Sequence, residues 1–74
     1  MSKATEKNIK ENIESSYNSL CYTILEMMKL EKELKGNSAD NVRSMYQKLF
    51  ELNQELKYIR KDFQKLFGNI AEIN

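Results

Sequence analysis

The sequence predicts an all-α protein, an antiparallel two-helix hairpin with coiled-coil-like packing. Three observations predict it. The chain has no proline and two glycines, a single polar break at "KGNSAD" (residues 35–40) divides it, and apolar residues recur at heptad spacing on both sides of that break. Steps of three and four residues mark an amphipathic helix, and a chain without proline can hold such a helix over many turns. The 74 residues form one domain at most.

The first helix is expected from about Thr5 to Lys35. Ile13, Leu20, Met27 and Leu34 recur every seven residues, while the companion positions wander through Tyr17, Ile24 and Leu30. Cys21, Leu25 and Met28 widen the apolar side. A wide stripe belongs to a helix with more than one neighbour. The segment before Ile13, "MSKATEKNIKEN", is nearly all polar, so it is expected to fray or to order only against a partner.

The turn is expected over residues 36–40. Gly36 suits a left-handed C′ position, and Ser38 or Asp40 suits the N-cap of the next helix. So short a connection makes the helices antiparallel neighbours.

The second helix is expected from about Ala39 to Ile73. Val42, Met45, Leu49, Leu52, Leu56, Ile59, Phe63, Leu66, Ile70 and Ile73 alternate steps of three and four, a strict a/d pattern with Val42 at a. It is long enough for a dependable coiled-coil assignment. Gly68 falls at an outward f position, where it weakens the last turn by about 1 kcal/mol relative to alanine. No polar residue interrupts the stripe. In self-pairing coils such a residue commonly fixes register, so its absence favours a partner that supplies specificity.

A domain this small needs a disulfide, a metal or association with another chain. One cysteine cannot form an internal bridge, and without histidine a zinc site would rest mostly on carboxylates. Association remains, with no cofactor and no metal expected.

Twelve basic against eleven acidic residues leave a net charge of +1, so no field draws the chain to nucleic acid or to an anionic membrane. Lys57, Arg60, Lys61 and Lys65 cluster around Tyr58, but Glu51, Glu55 and Asp62 sit among them, as on a mixed solvated helix face. No stretch approaches the roughly 20 apolar residues of a membrane span. "MSKATEKNIKENIESS" lacks the apolar core of a secretory signal, so a cytoplasmic location is expected.

An enzyme is not expected. Acid–base chemistry without histidine would need carboxylates or lysines in a water-excluded concavity, which two helices do not build. Glu11 with Glu14 and Glu51 with Glu55 lie in highly charged stretches and read as solvated. Cys21, in "SLCYTIL", has no basic sequence neighbour to activate it and reads as a small buried hydrophobe.

What remains is protein binding. Tyr46 and Phe67 stand at e positions, Phe50 at b and Tyr58 at c, more aromatic surface than one antiparallel helix can cover. Burying a large apolar side chain contributes about 1.5–3 kcal/mol, and an exposed cluster of them marks an interface. The expected partner-binding residues are Tyr46, Leu49, Phe50, Leu52, Leu56, Ile59, Phe63 and Phe67, with the aromatics as hot spots. The expected partner is a larger helical protein. The alternative is a homo-oligomer, two hairpins closing a four-helix bundle as a scaffold or regulator.

The stretch "LEKELKGNSADNVRSMYQKLFELNQELKYIRKDFQKLF" resembles the small helical-hairpin cochaperones of type III secretion systems. In that family a polar turn after the first helix leads into a tyrosine and a glutamine, then a long apolar-striped second helix. Such cochaperones hold the needle subunit soluble together with a larger helical-repeat chaperone. Needle subunits are similar in outline, but their turn generally carries proline and "NSADN" has none. The resemblance covers about half the chain. It implies that Leu49, Leu52, Leu56, Ile59 and Phe63 pack against the larger chaperone.

Overall fold

The computed structural model describes residues 2–68, and in it the chain is the expected helical hairpin. Helix α1 spans Lys3–Glu33 and helix α2 spans Asn37–Phe63, continued by a π-helical segment, Gln64–Gly68. The expected stripe positions Ile70 and Ile73, and the last residues of the second helix, lie outside the described residues.

α1 starts earlier than the polar segment suggests. Ser2 is its N-cap: the Ser2 Oγ accepts from the Thr5 backbone N–H at 3.1 Å, which satisfies one of the amides left over at a helix start. Glu6 in the first turn and Lys32 in the last complement the helix dipole. The helix stops at Leu34, where the backbone turns extended (φ −103°, ψ 162°) and the amide bonds back to the Glu31 carbonyl at 3.2 Å.

Gly36 takes positive φ as expected, but in a different role. With φ 64° and ψ −137° it is the N-cap of α2, in a region of backbone space that residues with a Cβ avoid. Ser38 and Asp40 lie inside the first turn of α2 and neither caps it; the Asp40 N–H bonds to the Gly36 carbonyl at 3.2 Å. The physical reason is economy of length: a glycine-only conformation reverses the chain so sharply that α2 begins one residue later.

Three side-chain contacts fix the antiparallel register: Glu31 with Tyr46, Cys21 with Asn53, and Tyr17 with Arg60. The result is a rod, 56 by 15 by 14 Å, with a radius of gyration of 16.7 Å. A compact globule of this length would measure about 11 Å. Its accessible surface is 5816 Å², where a compact monomer of this mass exposes about 4,800 Å². Among the described residues, Ile24 and Val42 are the buried apolar side chains, at 8 and 9 % exposed, and none is fully buried.

Candidate functional site: a split apolar stripe

The seam between the helices is not the a/d pair. On α2 it is formed by a positions, buried Val42 and half-buried Leu49, Leu56 and Phe63, together with e positions, half-buried Tyr46 and Arg60 and buried Asn53. The d positions Met45, Leu52, Ile59 and Leu66 are between 51 and 65 % exposed. α1 answers with Ile13, Tyr17, Leu20, Ile24, Met27 and Glu31, all buried or half-buried. One edge of the apolar stripe is used inside the hairpin, and the other faces outward.

The e column explains the choice of edge, because its polar residues each find a partner on α1. Near the turn, Tyr46 Oη donates to Glu31 Oε1 at 2.7 Å, and Arg43 Nε donates to Glu31 Oε2. The Tyr46 hydroxyl and then the Arg43 guanidinium hold the Glu31 carboxyl below its ordinary range, with partial desolvation opposing them. The same carboxylate, helped by desolvation, pushes the Tyr46 phenol up. Further along, the Arg60 guanidinium lies 5.5 Å from the centre of the Tyr17 ring, a cation–π contact. Arg60 therefore belongs to the seam and not to a free basic patch.

Midway, Asn53 is 5 % exposed, and its Nδ2 donates to Cys21 Sγ at 3.2 Å. Its Oδ1 is buried without a partner among the described residues. The stripe thus does contain a buried polar residue, at an e position where the a/d pattern does not look for one. Cys21 is half-buried and serves as its acceptor.

On the flank beyond the e column lies a groove of about 680 Å³, shaped by Cys21, Leu25 and Met28 of α1 and by Tyr46, Phe50 and Asn53 of α2. Phe50 is 53 % exposed at its edge, with Gln47, Glu51 and Gln54 beside it. On the opposite flank the exposed d column is itself aliphatic, Met45, Leu52, Ile59 and Leu66, and is bordered by the charged g positions Lys48, Glu55 and Asp62. At the open end of the hairpin the backbone widens into its π turn, and the rings of Phe63 and Phe67 meet with centroids 4.9 Å apart.

The eight residues expected at a partner interface therefore separate into three groups. Leu49, Leu56, Phe63 and Tyr46 are turned toward α1, with Phe67 packed on Phe63; Leu52 and Ile59 stand on the outward d column; and Phe50 borders the groove, which Tyr46 also lines. Apolar spacing does not mark Leu25, Asn53 and Glu31 as site residues, although the placement of Glu31 and Arg43 on either side of the turn is a usable signal.

Among the described residues no cluster of histidine, cysteine, aspartate or glutamate could hold a metal ion, and no helix is long and apolar enough to cross a membrane. Comparison with known protein families, curated proteins and solved structures finds no match for this chain.

Proposed function

We propose that this chain is a small protein-binding subunit, not an enzyme, which docks its uncovered apolar surface on a larger helical partner. The observation that carries the reading is the outward d column together with Phe50, Leu25 and Met28 on the opposite flank, all more than two-fifths exposed. A hairpin whose buried apolar residues, among those described, are Ile24 and Val42, while it exposes this much, has too little core to stand well alone.

The resemblance of residues 30–67 to type III secretion cochaperones gives the partner a class: a helical-repeat chaperone that, with this hairpin, keeps a needle subunit soluble in the cytoplasm. Helix-in-groove packing suits the geometry, since the groove beside Phe50 is open along its length and apolar at its floor.

The test is co-purification of the tagged full-length chain from its own cells, with Phe50→Ala processed in parallel. The reading expects a larger helical protein in stoichiometric amount with the wild type and a several-fold loss with Phe50→Ala, whose circular dichroism stays at the wild-type level. Equal recovery of the partner with a folded Phe50→Ala chain removes the groove from the interface. Recovery of the wild type with no other chain contradicts the reading.

A further inference from the structure

We propose that the outward face of the d and g positions is filled by a second copy of this chain, closing a four-helix bundle with both turns at the same end. The inference rests on the reading of the exposed stripe as a protein-binding surface; it assigns the d flank to a second copy and leaves the groove beside Phe50, with Leu25 and Met28, to the larger partner.

The heptad geometry supplies the first argument. In a four-helix bundle each helix has two neighbours roughly at right angles; a and d point to the bundle centre, e to one neighbour and g to the other. The strict a/d stripe of α2 is the pattern of such a helix. Its e side is already taken by α1 through Tyr46, Asn53 and Arg60. The d and g side is the vacant neighbour position.

The make-up of that face supplies the second. The register of the hairpin sets Leu30 across from Met45, Thr23 across from Leu52, and Ser16 across from Ile59. At two of these three places a small side chain, Thr23 or Ser16, stands beside a large exposed one, which leaves holes for knobs from another chain. Thr23 carries no unmet polar group into an interface, because its hydroxyl already donates to the Ser19 carbonyl at 2.9 Å.

Charge suits the arrangement with both turns at one end. With the twofold axis along the bundle, symmetry places α1 of one copy antiparallel to α2 of the other in the register already present inside the hairpin. The g positions then meet as Glu26 with Lys48, Ser19 with Glu55, and Asn12 with Asp62. One opposite-charge pair forms twice and no like charges meet, with Glu26 shared between Lys48 and its own-helix partner Lys29, 3.0 Å away. With the turns at opposite ends, α2 lies on α2 and the Glu26–Lys48 pairs are lost; centred on residue 55, that packing sets Lys48 against Asp62 but also brings Glu55 against its own copy.

The experiment is sedimentation equilibrium of the full chain from low micromolar to high micromolar concentration, with circular dichroism on the same samples. The expected result is a helical species of twice the chain mass. Glu26→Lys and Lys48→Glu should each weaken it, by about three- to tenfold, and the double reversal should restore it. In a Cys21→Ser background, mixed Glu26→Cys and Lys48→Cys chains should join through a short bis-maleimide into a product of twice the chain mass. Mixed Lys48→Cys and Asp62→Cys chains should not. A poorly helical monomer at every concentration overturns the second-copy inference alone, since the co-purification with Phe50→Ala tests the protein-binding reading separately. A well-folded helical monomer that also co-purifies with nothing overturns both. A dimer joined through Lys48→Cys and Asp62→Cys overturns the same-end arrangement.

Discussion

The two edges of α2 beside its a column differ in chemistry and in fate. The e edge carries Tyr46, Asn53 and Arg60, each in contact with α1; the d edge carries Met45, Leu52, Ile59 and Leu66, all more than half exposed. By apolar burial alone the d edge would be the better seam. The polar e edge is used because α1 presents a matching acceptor or ring to each of its polar residues: Glu31 to Tyr46, Cys21 to Asn53, Tyr17 to Arg60. The difference teaches that directional contacts can set which face closes, while the more apolar face is left uncovered.

The largest expected effect separates a from d. Leu56→Asp places a carboxylate in the seam, where an uncompensated buried charge costs about 3–5 kcal/mol, more than so small a core can lose. Helicity by circular dichroism should collapse at every protein concentration. Ile59→Asp, one turn away on the d column, should leave helicity intact at high concentration and lose it on dilution at least tenfold sooner than the wild type. If the two variants titrate alike, the split of the stripe is wrong.

Gly36→Ala acts on the turn that both edges depend on. The positive φ of Gly36 disfavours any side chain there, although its Cβ would meet no other atom. A loss of about 1–3 kcal/mol should lower the melting temperature by about 5–15 °C without changing the oligomeric state. A melting temperature equal to that of the wild type would show that the turn relaxes freely.

Asn53→Leu probes the cost of directionality on the e edge. It removes a buried Oδ1 with no partner among the described residues and fills the space with an apolar group of similar size. Stability should rise or hold, by up to about 1–2 kcal/mol in thermal melts, while the single association state broadens into several by sedimentation. A clear loss of stability would mean that the amide is satisfied in solution.

The smallest effects are electrostatic. Because the folded-state pKa of Glu31 lies below its unfolded value, its contribution is present above the unfolded pKa of about 4.3 and is lost as pH falls through the folded value. Tyr46 has the opposite sense: its raised folded pKa gives stability below the unfolded value of about 10 that is lost as pH rises through the folded one. Melting temperature against pH should therefore have a shallower acid limb in Glu31→Gln and a shallower alkaline limb in Tyr46→Phe. Arg43 is about half exposed, so added salt should shrink the part of the acid-limb difference that its charge supplies. Unchanged limbs would remove the cluster from the account of why the e edge closes.

Much of the fold is legible in the sequence. Proline-free heptads mark the helices, and the lone break at Gly36 marks the turn. The a column is legible too, since Val42, Leu49, Leu56 and Phe63 sit on the hairpin side whether the seam is a/d or a/e. Which second column joins it is not, because a period of seven marks the apolar face without saying on which side a neighbour lies. Asn53 shows the limit most clearly: as a polar residue it falls outside an apolar pattern, and only its contact with Cys21, far away in sequence, brings it into the seam. The Ser2 cap and the π turn at Gln64–Gly68 rest on local backbone geometry that apolar spacing does not report. Of the candidate interface, heptad position and residue type mark Leu52, Ile59 and Phe50 as anchors, but they do not reveal that these residues lie on opposite flanks.

The central claim is that a and e close the hairpin while d waits for another chain. Single cysteines placed along residues 45–60 in a Cys21→Ser background, each timed against an uncharged thiol reagent at several protein concentrations, test it most directly. The account predicts slow reaction at 46, 49, 53, 56 and 60 at all concentrations that keep the hairpin folded, and reaction at 45, 52 and 59 that accelerates on dilution. Lasting protection at 45, 52 and 59 with fast reaction at 46, 53 and 60 would contradict it, and would return the seam to the a/d pair.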